Sequence, residues 1–266
     1  MNENDHVLAF ADEGSGPPLL LIHAFPFDRH LWSAQIAALR DRFRVITPDL
    51  RGFGESPTAS PVSIDQHADD LVRLLDALGI ARAAVCGLSL GGYVALALWR
   101  QHHERISALV LADTRATADT PATRERRAQL IDLARSEGVL PVADAQVSAA
   151  LGRTTRRTHP ALVHRVRDMM VAASSVDGIV AALEAMMARP DSTTLLATIN
   201  VPTLVIVGEE DAITPPGEMR AMQGAIPGAD LRVVEQSGHL TCVEQPETFN
   251  GLLASFLERV GRTVAD

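Results

Sequence analysis

The chain has 266 residues, 47% of them hydrophobic, which is enough for a substantial core and excludes a disordered chain. The formal net charge is −9, and all basic residues are arginines, dispersed apart from 124–127 and 153–157, so no nucleic-acid-binding face is expected. Cys86 and Cys242 make neither a disulfide framework nor metal-ligand spacing, no apolar run approaches the ~20 residues that span a bilayer, and the acidic start Met1–Asp5 lacks a signal-peptide pattern; these features read as a soluble cytoplasmic protein with no metal and no membrane partner.

In chain order, Val7 to Ala11 reads as an edge strand, followed by a Gly/Pro-rich turn at 14–18. Leu19 to His23 is a continuous apolar run, the mark of a strand buried on both faces. It leads into the loop His23-Ala24-Phe25-Pro26-Phe27-Asp28 and a helix from about Leu31 to Leu39. Arg44 to Thr47 forms a strand that Pro48 interrupts, and the loop from Asp49 to Ser56 precedes a helical pattern from Ile64 to Leu78 that Gly79 ends. Ala83 to Leu88 reads as a strand, Gly91 to His102 as a helix, and Ile106 to Ala112 as another buried strand.

From Thr114 to about Thr198 the pattern is helical throughout. Thr120 is the expected N-cap of a helix that begins with Pro121 and ends at Gly138. Further helices are expected over Val139 to Ala150, Ala161 to Ala172 and Val176 to Ala188. Alternation then resumes with strands at Thr203 to Val207 and Leu231 to Val234, and helices at Pro216 to Ala225 and Pro246 to Val260. Such alternation gives an α/β protein with a mostly parallel sheet flanked by helices. Residues 114–198 read as a helical cap inserted into a core formed by 1–113 and 199–266.

Gly87-Leu88-Ser89-Leu90-Gly91 sits at the turn from strand to helix. A serine on so tight a turn projects its hydroxyl clear of the sheet, and the residues two before and two after it approach too closely for a larger side chain. Glycine and serine are common enough for the pattern to arise by chance, so the partners decide. A nucleophilic serine needs a base, and the base needs an orienting acid. His239 follows the last strand and Asp211 follows the strand before it, which brings both to the sheet edge that carries Ser89. Asp113, Glu209 and Glu210 are rivals for the acid, since each also follows a strand. The backbone N–H groups of Leu90, next after Ser89, and of Phe25, in the loop after the second strand, are the expected oxyanion hole. His23 reads as a loop organiser.

Taken together, His23 to Pro26, Asp49 to Ser56, Gly87 to Gly92, Asp211 and His239 resemble the α/β-hydrolase superfamily over nearly the whole chain. Cys86 to Gly92, Leu111 to Thr114, and Gly238-His239-Leu240 with Glu244-Gln245-Pro246 resemble its 3-oxoadipate enol-lactonase-like esterase branch. The resemblance implies the α/β-hydrolase fold with a helical cap after the sixth strand, no cofactor, and a Ser89-His239-Asp211 hydrolase acting on small esters or lactones. Ala24 departs from the glycine common in the superfamily's loop, and the cap lacks the tryptophan of the lactonase branch.

Phe27, Met169, Met170, Met186 and Met187 are candidate walls of an apolar pocket, although paired methionines at helical spacing also serve as core filler. Arg51 and the cap arginines are candidates to hold a substrate carboxylate. The same three residues would serve a perhydrolase or a cofactor-free haloperoxidase, and a non-catalytic binding protein on this fold is a third reading. Dehalogenases and epoxide hydrolases use an aspartate nucleophile, which Ser89 replaces.

Overall fold

The computed structural model describes residues 8–58 and 62–265. Val7, His6 and the acidic start at 1–5 lie outside those residues. Among the described residues seven strands form one sheet: β1 (Phe10–Glu13), β2 (Pro18–Ile22), β3 (Arg44–Pro48), β4 (Ala83–Leu88), β5 (Ile106–Ala112), β6 (Thr203–Gly208) and β7 (Asp230–Val234). Their spatial order is β1-β3-β2-β4-β5-β6-β7. β1 pairs antiparallel with β3, and the other five pairings are parallel.

Alternation along β2 shows how the sheet acquires two covered faces. Leu20 and Ile22 face one hydrophobic cluster while Leu19 and Leu21 face the other, as successive side chains of a strand must. The first cluster takes in α2 (Ile64–Ala77), α3 (Leu90–His102) and α9 (Pro216–Ala225). The second takes in α1 (Ser33–Leu39) and α11 (Pro246–Ala265), where Trp32 and Phe249 lie 6.0 Å apart between ring centres. α2 starts on a capping box: Ser63 Oγ accepts from the Gln66 N–H and Gln66 Oε1 accepts from the Ser63 N–H.

Five helices separate β5 from β6: α4 (Pro121–Glu137), α5 (Val139–Ala150), α6 (Arg153–Thr158), α7 (Pro160–Ala172) and α8 (Val176–Ala188). The insertion follows the fifth strand among the described residues, not the sixth, because a single antiparallel strand precedes the parallel ones. α6 has no counterpart in the sequence reading. Its six residues, RTTRRT, carry no apolar period, and one tie that holds it lies outside the helix, where Glu210 accepts from both the N–H and the hydroxyl of Thr154. The short α10 (Thr241–Glu244) was likewise not legible in the pattern.

The strand order places the site. The chain moves from β2 to β3 on one side and then to β4 on the other, so the connections leaving β2 and β4 diverge at their carboxyl ends. Such a switch point opens a crevice in an open parallel sheet. Phe25 and Ser89 lie in those two connections.

Candidate active site

Ser89 stands between β4 and α3 with φ 54° and ψ −111°, a left-handed conformation unusual for a residue with a side chain. The turn is held on several sides. The Ser89 N–H donates to the Ala112 carbonyl at 3.0 Å, and the Ser89 carbonyl accepts from the Thr114 hydroxyl at 2.8 Å. The flanking glycines are steric necessities. A Cβ on Gly87 would lie 2.2 Å from the Gly91 carbonyl oxygen, and one on Gly91 would lie 2.1 Å from that of Ile22.

The half-buried Ser89 Oγ lies 2.8 Å from His239 Nε2, and His239 Nδ1 lies 2.8 Å from Asp211 Oδ2. With a carboxylate facing Nδ1, that nitrogen carries the proton and Nε2 is left to accept from the serine hydroxyl. Asp211 is held rigidly: Oδ1 accepts from the N–H groups of Ile213 and Thr214, and Oδ2 accepts from the Thr214 hydroxyl at 2.5 Å. Burial is the largest influence on its carboxyl and favours the neutral acid. The electrostatic attraction of the His239 ring, with hydrogen bonds from His239 and Thr214, outweighs burial and holds the carboxyl below its ordinary value. Thr214 also approaches His239 Nδ1 at 3.2 Å. Sequence reasoning missed it, although its place three residues after an aspartate is the spacing of a local side-chain-to-backbone turn.

The rival acids point elsewhere. Asp113 Oδ1 accepts from the Gly208 N–H at 2.9 Å and Oδ2 from the Thr241 hydroxyl at 2.5 Å. Burial first, and the nearby Asp211 charge second, push the Asp113 carboxyl well above its ordinary value. Glu209 accepts from the Gln236 N–H at 3.3 Å, and Glu210 is engaged by Thr154.

The N–H groups of Phe25 and Leu90 find no acceptor among the described residues. Leu90 opens α3, so its N–H has no partner within the helix and lies at the positive end of the helix dipole. His23 organises the neighbouring loop. Its Nε2 accepts from the Leu50 N–H at 2.8 Å, which leaves Nδ1 to donate to the Ala24 carbonyl at 3.0 Å. Burial lowers its pKa and keeps it neutral. Ala24 is fully buried, and among the described residues the positive-φ ones with side chains are Ser89, Asp113 and Gln236, so no left-handed backbone demands glycine at 24. The Phe25 ring meets Phe53 edge-on at 6.1 Å.

The pocket candidates do not converge. Phe27 and Met170 are buried in the cluster beneath α1 and α11, and Met169 packs against it. Met186 is buried in the opposite cluster, with Met187 packed against that one. The pairs part because α7 packs on α5 while α8 packs on α4. Arg51 donates through Nε and Nη2 to the two oxygens of Asp70, at 2.8 and 2.6 Å, and so is already paired with an acid. Among the described residues no three His, Cys, Asp or Glu side chains group as a metal site, and no helix is long and apolar enough to cross a membrane.

A hydroxyl, an imidazole and a carboxylate thus stand in series at the carboxyl edge of a parallel sheet. The chain belongs to the alpha/beta hydrolase fold family, whose model matches residues 17–246. It is 30% identical over 262 residues to 3-oxoadipate enol-lactonase 2 of Acinetobacter baylyi, covering 97% of this chain and 96% of that protein. A thermophilic esterase from Thermogutta terrifontis, solved with malate bound, matches with a TM-score of 0.92 and 43% identity over 95% of this chain and 93% of that one. The enol-lactonase from Burkholderia xenovorans LB400 matches with a TM-score of 0.87 and 31% identity over 94% and 96% of the two chains.

Proposed function

We propose that the protein is a serine hydrolase that cleaves small carboxylic esters or lactones through an acyl-enzyme. The observation that carries this reading is the unbroken chain from Ser89 Oγ to His239 Nε2 and from His239 Nδ1 to Asp211 Oδ2, each link 2.8 Å long. The esterase and enol-lactonases to which the chain is similar support it.

In this mechanism His239 Nε2 takes the hydroxyl proton as Ser89 Oγ attacks the ester carbonyl carbon. Asp211 keeps the Nδ1 proton in place and stabilises the imidazolium that forms. The Phe25 and Leu90 amides donate to the oxyanion of the tetrahedral intermediate, where each is worth roughly 3 kcal/mol. Collapse of that intermediate breaks the bond to the alkoxide, which leaves with the proton from His239. A water, deprotonated by the same Nε2, then releases the acid and restores Ser89. A lactone follows the same course, with the alcohol remaining tethered to the acyl group. The inserted helices at 114–198 act as a cap over the substrate.

Hydrolysis of p-nitrophenyl acetate by wild type and by Ser89→Ala tests the reading. Loss of about a millionfold in kcat with unchanged far-UV circular dichroism is the expected result, and full activity in the variant refutes it. A parallel peracid assay in acetate and peroxide distinguishes water from peroxide as the second nucleophile.

A further inference from the structure

We propose that Glu244 is a positioning residue that locks the backbone carrying His239 to the inserted helices, an inference that rests on the reading of His239 as the general base. Glu244 lies at the end of α10, five residues past the histidine. Its Oε1 accepts from the Gly238 N–H at 2.8 Å and from the Leu240 N–H at 3.4 Å, the two amides that flank His239. Its Oε2 accepts from the Gly152 N–H at 2.8 Å, at the junction of α5 and α6. The His239 N–H itself donates to the Ala150 carbonyl at 2.9 Å. Three consecutive amides, 238 to 240, are therefore held by one carboxylate and one carbonyl of the insertion.

The two backbones touch. A Cβ on Gly238 would lie 2.3 Å from the Gly152 nitrogen, and one on Gly152 would lie 2.9 Å from the Gly238 nitrogen. Only glycine at both positions lets a carboxylate bridge them. The same short stretch of the insertion reaches the other partner of the imidazole, since Thr154 donates through its N–H and hydroxyl to Glu210, the neighbour of Asp211. Residues 150–154 thus stand between the loops that carry the base and its acid. Glu244 is nearly buried, at 9% exposure, and burial pushes its carboxyl above the ordinary value, while hydrogen bonds from Thr155 and from the three amides pull the other way. A buried acid is costly unless its oxygens are engaged as they are here. Glu244 touches neither Ser89 nor the imidazole. It acts by fixing where the His239 backbone sits, and with it whether Nε2 meets the serine hydroxyl.

The test is Glu244→Gln, which keeps length and one acceptor but sets an NH₂ against an N–H on one side of the bridge. For p-nitrophenyl acetate, kcat is expected to fall roughly ten- to hundredfold, as displacement of a catalytic group by a fraction of an ångström does. KM should stay within about twofold, since no ground-state contact is lost. The low-field proton resonance of His239 Nδ1–H should broaden or disappear. Wild-type kcat and an unchanged resonance in folded Glu244→Gln, whatever the loss of Tm, overturn the proposal. Should the variant fail to fold, amide hydrogen exchange on the wild type decides. Gly152, Gly238 and Leu240 opening as one protected set supports the bridge, and Gly152 exchanging independently of the other two overturns it. In a wild type without esterase activity the hydrolase reading falls, and the resonance and exchange results still judge the bridge.

Discussion

Asp113 holds the histidine loop without touching its imidazole: its carboxylate accepts from the hydroxyl of Thr241, two residues past His239. Asp211 reaches the ring itself at 2.8 Å. Both aspartates directly follow strands or their turns, both are buried, and after burial the Asp211 charge is the next influence raising the Asp113 carboxyl. Asp211 is held below its ordinary pKa and Asp113 well above it, so the two environments assign the charged state to the residue that faces the imidazole.

Asp211→Asn should lower kcat by about ten-thousandfold, because an amide can neither hold the required tautomer nor stabilise the imidazolium. Asp113→Asn should leave kcat within about tenfold, since a neutral amide can accept from the Gly208 N–H and pair with the Thr241 hydroxyl much as a protonated acid does. Steady-state kinetics on the two variants checks this. The reverse ranking would move the role of acid to Asp113.

Gly91→Ala should cost upward of about 2 kcal/mol. Its Cβ would meet the Ile22 carbonyl oxygen at 2.1 Å and that of His23 at 3.0 Å, both of them backbone atoms that cannot rotate away. Relief requires the connection after β2 to move from α3, which separates the Phe25 and Leu90 amides. Urea unfolding together with kcat of the folded fraction measures both effects, and an unshifted midpoint would contradict the packing argument.

Acid should weaken the fold through His67. This residue is fully buried on α2, and both ring nitrogens lack a partner among the described residues. Burial is the main influence holding its pKa at about 4, against 6.5 for a free imidazole. Between those values the unfolded chain binds a proton that the folded chain does not. Stability therefore rises with pH there and is lost on acidification, by an amount on the order of 3 kcal/mol. His67→Leu should flatten that slope. Urea midpoints at about pH 5 and about pH 7.5 compare the two proteins, and equal slopes would clear His67 of the effect.

Asp119→Ala should destabilise by about 3–5 kcal/mol, because it leaves two arginines short of their shared partner. Asp119 is bonded at 2.6 Å by both Arg127 and Arg189, and the Arg189 guanidinium also lies 4.0 Å above the Tyr93 ring, one turn past Ser89 on α3. Burial favours the neutral form of Asp119, and the two arginines outweigh it and lower its pKa. The contribution is thus present above the ordinary carboxylate pKa of 3.8 and lost as pH falls below it. Thermal unfolding of the variant near neutral pH measures the loss, and a Tm within error of wild type would contradict it.

Much of the fold was legible because its signals are local. The apolar runs at 19–22, 83–88 and 106–112 lie in buried strands, with His23 just past the end of the first, and Thr120-Pro121 and Gly138 mark helix ends by their own backbone preferences. The edge strand was displaced, running from Phe10 to Glu13, because an edge takes its limits from pairing with β3 rather than from its own polarity. The two methionine pairs part for a related reason. Helical spacing names a face, but which cluster that face meets depends on the neighbouring helix.

By itself the sequence determined the order of the strands and of the longer helices, the glycine-flanked serine turn, and the placing of Ser89, Asp211 and His239 after strands, because each is a property of a few adjacent residues. Tertiary structure alone decided which of the rival carboxylates meets the imidazole. It also decided that Glu244 ties the histidine loop to the insertion at Gly152. Those outcomes turn on distances of a few tenths of an ångström between segments 28 to 150 positions apart along the chain, where hydrogen bonding is set by how the sheet twists and the loops pack.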